Sequence, residues 1–158
     1  MREQKGREYI FWILLSEAVG VLAALLTREG MARYMAGAVK PPLTPPGWLF
    51  PVVWTLLYAL MGVGAARVYR AEASSARSGA LGTFLLQMVF NFLWSILFFN
   101  MERYGAALLW LGALWALVLW MILRFARVDR AAARLQIPYL LWVSFAAYLN
   151  FGVWKLNR

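Results

Sequence analysis

Five apolar blocks, residues 9–27, 48–66, 79–100, 106–123 and 135–154, occupy most of this 158-residue chain. Each is close to the ~20 residues an α-helix needs to cross a ~30 Å hydrocarbon layer. Periodicity alone does not separate a buried soluble helix from a spanning one, but length and repetition do. The chain is 63% hydrophobic, whereas a soluble domain is roughly 45–50% apolar. Its mean hydropathy is +0.63. The polar residues that remain are too few to coat a soluble globule. The expected fold is all-α, a single integral membrane domain over residues 1–158. Five transmembrane helices run up and down, with a long ordered loop between spans 1 and 2.

The formal net charge of +9 sits between the blocks, where Lys and Arg set topology. It therefore gives no reason to expect a nucleic acid partner. One side carries Arg2, Lys5, Arg7, Arg67, Arg70, Arg77, Arg124, Arg127, Arg130 and Arg134; the other carries Arg28, Arg33, Lys40, Arg103, Lys155 and Arg158. The bias places the N-terminus in the cytoplasm, against the pull of Lys155 and Arg158. The first block follows a basic start, as a signal peptide would. It is longer than the ~7–15 apolar residues of a signal peptide, and Glu17 interrupts it, so it reads as a retained span. There is no Cys and no His. Disulfides, thiolate chemistry, imidazole metal ligands and His general bases are excluded. No metal site and no covalently bound cofactor is expected.

The links after spans two, three and four are short, which implies antiparallel neighbours. The link after span one, residues 28–47, is long enough to suggest a lid. Within it Met31, Tyr34, Met35 and Ala38 fall on one face of a short helix, which either rests on lipid headgroups or folds over the bundle. Residues 40–48 then carry four prolines (Pro41, Pro42, Pro45 and Pro46) before Gly47 and Trp48. Such a segment is built to hold a fixed shape over the bundle end, and a ligand site beneath it is expected. Thr44 followed by Pro45 reads as the N-cap and first residue of span two. Pro51 then falls inside the helix and predicts a kink, as does Pro138 if span five starts before Leu135. Gly20 with Ala24, Gly62 with Ala66 and Gly112 with Ala116 have the spacing of close helix contacts.

Nine tryptophans and seven tyrosines are many for this length. Trp12, Trp48 and Trp154 suit an interfacial belt; Trp54, Trp94, Trp115 and Trp142 lie deeper. A rise of ~1.5 Å per residue from the outer span ends puts Trp94 ~9 Å, Trp54 ~13 Å, Asn91 ~14 Å, Glu17 ~15 Å and Trp142 ~18 Å down. Helical stripes group Trp54, Tyr58 and Met61; Gln87, Asn91, Trp94 and Ser95; and Tyr139, Trp142, Ala146 and Asn150. Flat aromatics mixed with a few neutral hydrogen-bonding groups suit a pocket for a flat, mostly apolar ligand. They equally suit interhelical hydrogen-bonded glue. Glu17 is the only acid well inside a span, where a carboxyl is neutral or paired.

These residues carry a resemblance. Lys40-Pro41, Pro45-Pro46-Gly47-Trp48, Phe50-Pro51, Trp54-Thr55 with Tyr58, Gln87, Asn91 with Trp94-Ser95, and Pro138-Tyr139 with Trp142, Phe145-Ala146 and Leu149-Asn150 resemble the TspO/MBR family. These are the tryptophan-rich sensory proteins and translocator proteins. The resemblance implies a five-helix bundle in the lipid bilayer, a homodimer, and a bacterial cell-membrane location. It implies a pocket under the first loop that takes porphyrins as ligands, and in some members sterols or synthetic ligands. The ligand-binding set it implies, with the stripes above, is Tyr34, Lys40, Pro45, Trp54, Tyr58, Gln87, Asn91, Trp94, Tyr139, Trp142, Ala146 and Asn150. Trp54 and Trp142 match the positions linked to light-dependent porphyrin breakdown. Leu43 and Tyr34 stand where loop tryptophans are common in the family, the sterol pattern near the C-terminus is not met, and Glu17 lies outside the family pattern.

Three functions follow. The first is a membrane receptor for protoporphyrin-type tetrapyrroles, in porphyrin handling or stress sensing. Without His or Cys to ligate iron, the free base is favoured over haem, with Arg33 and Lys40 near the mouth placed for propionates. The second is a light- and oxygen-dependent porphyrin-degrading enzyme using Trp54 and Trp142. The third is a small proton-coupled transporter using Glu17.

Overall fold

A computed structural model describes all 158 residues, Met1 to Arg158. The apolar blocks become α1 (Arg2–Leu26), α3 (Leu49–Tyr69), α4 (Ser75–Ser95), α5 (Tyr104–Ala126) and α7 (Ile137–Leu156). Two short helices, α2 (Arg28–Gly37) and α6 (Arg130–Arg134), lie between them. The five long helices are apolar enough to cross a membrane and form a bundle with no strands. Several run past the ends of their blocks. The Arg, Glu, Gln and Lys residues flanking α1 are good helix formers, so the helix starts at Arg2 instead of residue 9. Large apolar side chains point outward on every span, among them Leu14, Leu25, Leu56, Leu85, Leu109 and Leu141. Such a surface is the mark of a lipid-facing protein.

Three proline expectations are corrected. Span two does not begin at Thr44-Pro45; α3 begins at Leu49 with Trp48 as its N-cap. The Thr44 hydroxyl instead donates to the carbonyl of Pro41 at 2.6 Å, folding the loop on itself. Pro51 therefore falls in the first turn of α3, where no backbone N–H is needed, and imposes no kink. Pro138 is likewise in the first turn of α7. The break comes before it, at Leu135–Gln136, where the chain leaves α6.

Helix α1 packs on α3, and α5 sits between α4 and α7. Of the three small-residue pairs, Gly62 makes the α1–α3 contact: a Cβ there would collide with the backbone of Ile13 and Trp12. Gly20 makes room for the Tyr58 ring, and Gly112 faces outward with nothing near it. At the end of the bundle away from the long loop Asp129 caps α6 by accepting from the amide of Ala132 (2.8 Å), and it pairs with Arg67 of α3 (2.9 Å). Burial would raise the Asp129 carboxyl. The Ala132 amide and the Arg67 guanidinium outweigh that and hold it below its ordinary value of 3.8.

A buried polar relay joins three spans at mid-height. Tyr58 Oη donates to Asn91 Oδ1 (3.2 Å), Asn91 Nδ2 donates to Tyr139 Oη (2.7 Å), and Tyr139 Oη donates to Gln87 Oε1 (2.8 Å). One turn further out, Trp94 Nε1 donates to Asn150 Oδ1 (3.1 Å), and Asn150 Nδ2 donates to the Tyr104 carbonyl (2.8 Å). With no water in the hydrocarbon layer, each of these groups must find a protein partner.

Asn91→Leu leaves the Tyr58 hydroxyl without its acceptor and removes the amide donor from Tyr139, which keeps its bond to Gln87, and is expected to cost about 1–2 kcal/mol. Thermal unfolding in detergent micelles measures this. The Asp129 contribution is complete at pH values above 3.8 and is lost as pH falls through the depressed folded value. Asp129→Asn is therefore expected to cost under about 1 kcal/mol at neutral pH and to flatten the acid limb of the stability–pH curve.

Candidate functional site

Above the relay the helices do not close. They leave a cavity of about 650 Å³ in the half of the bundle nearer the loop. Its volume falls within the ~300–1,000 Å³ of small-molecule sites.

The roof is α2. Thr27 breaks α1 and starts α2, its hydroxyl donating to the Ala23 carbonyl at 2.7 Å. Helix α2 then lies across the bundle, turning Met31, Tyr34 and Met35 onto the cavity. It is a lid rather than a helix resting on headgroups. Tyr34 is buried between Phe98 and Phe99, ring centroids 5.3 and 5.5 Å away. Those two phenylalanines come from a single turn of π-helix, Ile96–Asn100, that finishes α4. The wider turn brings both neighbouring rings to the lid, a use of π-turns common at functional sites. Burial, with a smaller contribution from Tyr104, pushes the Tyr34 phenol up to about 12, so it stays neutral.

Polar contacts hold the lid down. Arg33 pairs with Glu102 (3.0 Å) and donates to the Asn100 carbonyl (3.4 Å); Asn100 Nδ2 donates to the Leu26 carbonyl (3.0 Å). Lys40 Nζ donates to the carbonyls of Tyr34, Met35 and Ala38 at 3.1–3.2 Å, and lies over the Tyr34 ring. All three of its N–H groups are thus engaged in closing the C-terminal end of α2. The proline segment is fixed to the C-terminal end of α7. Asn157 Oδ1 accepts from the Val39 amide and Asn157 Nδ2 donates to the Val39 carbonyl, both at 2.8 Å. Tyr148 Oη donates to the Pro42 carbonyl (2.7 Å), and Pro41 packs on Gly152.

The walls are aromatic. Trp54 meets Trp142 edge-to-face, centroids 6.4 Å apart at 89°, and lies 5.6 Å from Tyr58. Phe50 abuts Trp142 at 5.9 Å. Trp54 and Trp142 donate their indole N–H to no protein atom and border the cavity, unlike Trp94, whose N–H is held by Asn150. On the α1 and α3 sides the cavity reaches the bundle surface at Val21, Ala24, Pro51 and Thr55. Glu17 borders it from α1 and makes no hydrogen bond or ion pair with the protein. Arg28 borders it near the lid, also unpaired.

Of the twelve residues named from sequence, the cavity brings together Tyr34, Trp54, Tyr58, Asn91, Trp94, Trp142, Ala146 and Asn150. Gln87 and Tyr139 lie beneath it in the relay, fully buried. Lys40 and Pro45 lie outside it in the loop. Because α3 starts four residues later than the sequence suggests, Trp54 is only ~8 Å from its helix end, nearer the lid. The sequence reading did not name Met31, Phe50, Phe98, Phe99, Arg28 or Leu149 as site residues. Met31 was readable from the apolar face of α2. Phe98 and Phe99 were not, since nothing in the sequence marks a π-turn.

The comparisons agree with this architecture. The TspO/MBR family profile matches residues 12–155. Over 142 residues the chain is 39% identical to "Tryptophan-rich protein TspO" of Chlorobaculum tepidum, covering 89% of each chain. It is 37% identical over 145 residues to the protein of the same name from Archaeoglobus fulgidus, covering 92% of this chain and 94% of that one. It is 32% identical over 147 residues to "Translocator protein" of Bos taurus, covering 92% and 87%. A profile match that reaches into all five spans, joined to relatives aligned over most of their own length, makes this chain a member of the TspO/MBR family.

Proposed function

We infer that this integral membrane protein binds flat, largely apolar molecules in the lidded cavity, with free-base protoporphyrin-type tetrapyrroles as the ligand class, and serves porphyrin handling or sensing. The observation that carries this reading is the pair of perpendicular indoles, Trp54 and Trp142, with their N–H groups unengaged. An indole wall offers a macrocycle a large stacking surface, and its free N–H offers a hydrogen bond to a polar substituent. The amides contribute less than their number suggests: Asn91, Asn150 and Gln87 are engaged within the protein.

The cation for a ligand carboxylate is also reassigned. Arg33 and Lys40 are held by protein partners. Arg28, on the cavity near the lid and unpaired, takes the role for a propionate. The reading places the N-terminus in the cytoplasm, so that the lid faces the opposite side. It also includes a homodimer, for which the outward-facing Gly82 and Gly112 offer flat contact surface.

One observation favours a second reading. Two indoles 6.4 Å apart at one cavity wall place oxidisable rings beside any bound photosensitiser, which suits light- and oxygen-dependent breakdown of the porphyrin.

Titration of the purified protein with protoporphyrin, followed by tryptophan quenching in the dark, is expected to show saturable binding. Trp54→Phe with Trp142→Phe should weaken it about ten-fold or more, and wild-type affinity in the double variant would overturn the assignment. The same samples in light test the second reading, which requires a defined product lost on changing either tryptophan alone. Arg28→Ala is expected to weaken protoporphyrin by about ten-fold while leaving its dimethyl ester unaffected. Equal losses for acid and ester would remove Arg28 from the carboxylate role.

A further inference from the structure

Resting on that cavity as a ligand site, we propose that its deep end is a cation subsite: Glu17, which lines the same cavity as Trp54, Tyr58 and Trp142, recognises a protonated nitrogen on a flat apolar ligand. The polar groups of the relay beneath the cavity have their partners inside the protein. Tyr58 donates to Asn91, and Asn91 donates to Tyr139. Ser16, beside Glu17 in the chain, donates to the Trp12 carbonyl at 2.9 Å. Glu17 borders the cavity as its one carboxyl, and it makes neither hydrogen bond nor ion pair with the protein.

The position makes that lack of a partner informative. Glu17 lies eight residues past the start of the first apolar block and ten before the Thr27 break. That is ~15 Å below the lid, at hydrocarbon depth. An unpaired carboxyl at that depth is costly to maintain, and such groups mark ligand or ion pathways. Helix α1 presents Glu17, Gly20, Val21 and Ala24 to the cavity. Gly20, one turn away, lets the Tyr58 ring press against α1, and Tyr58 in turn lies 5.6 Å from Trp54. A carboxylate beside clustered aromatic faces is the combination that binds organic ammonium groups, by charge pairing and by attraction to the ring faces. The aromatic walls set the ligand's shape, and Glu17 adds a preference for positive charge at one end. Arg28 at the opposite end rejects the same charge, so a cationic ligand enters nitrogen-first.

The probes are three flat molecules: 9-aminoacridine, which is protonated at neutral pH, acridone, a neutral tricycle of similar shape, and protoporphyrin. Purified full-length protein in lipid nanodiscs is titrated with each, as wild type, Glu17→Gln and Glu17→Asp. Wild type is expected to bind 9-aminoacridine about ten-fold or more tighter than acridone. Glu17→Gln should abolish that preference, and Glu17→Asp should keep part of it. Protoporphyrin should be unchanged by Glu17→Gln, because its basic nitrogens face the centre of the macrocycle, away from a wall carboxylate. Equal binding of 9-aminoacridine by wild type and Glu17→Gln overturns the cation subsite and leaves the porphyrin reading intact. Loss of all three probes in Glu17→Gln also overturns it, by showing that Glu17 holds the cavity's shape. A wild type that binds none of the three overturns the ligand-site reading itself.

Discussion

The hydrogen-bonded chain Tyr58–Asn91–Tyr139–Gln87 is the constraint on which the rest of the structure depends. Apolar packing in a bilayer is nearly indifferent to rotation of a helix about its axis, because lipid tails are as apolar as the residues they replace. A buried amide is not indifferent. Its N–H and C=O must be met, and only one rotation of α3, α4 and α7 meets all of these groups together. Once those three helices are locked, side chains one turn further out are aimed as well. Trp54 lies one turn from Tyr58, and Trp142 lies three residues from Tyr139. The relay therefore makes the floor of the cavity and also orients its indole walls.

The lid is secured differently. Above the hydrocarbon layer the chain uses charged and backbone contacts: Arg33 with Glu102, Lys40 on three carbonyls, and the Asn157 amide on Val39. Surface ion pairs of this kind contribute about 0–1 kcal/mol each. A roof assembled from such contacts opens at lower cost than the relay breaks. The prolines limit how far that opening spreads, since Pro41 is packed on Gly152 and the Tyr148 phenol holds Pro42.

Reading the polar stripes as a pocket or as interhelical glue proves to be a division by residue. The amides hold the helices together, and the indole N–H groups of Trp54 and Trp142 are left unengaged. Trp94 shows how fine the division is: it borders the cavity, yet its N–H is taken by Asn150. The same distinction separates Lys40 and Arg33, whose N–H groups are held by protein partners, from Arg28, which has none. Sequence shows which side chains can donate, but the donors already in use appear only once their neighbours are placed.

Length, apolar repetition and the absence of His and Cys were enough to determine five membrane helices, their order and a chemistry without imidazole or thiolate, because those follow from hydrocarbon thickness and side-chain inventory alone. The same signals leave open whether the short helix after the first span lies on headgroups or over the bundle. The helix starts at Leu49 and Ile137, the π-turn that turns Phe98 and Phe99 together, and the empty space beside Glu17 were decided only in three dimensions. Each depends on contacts between residues far apart in the chain. A proline signals a helix start equally well at several nearby positions, and a turn widens only where neighbouring helices reward it. A cavity is a property of how five rods fail to touch, which no single rod encodes.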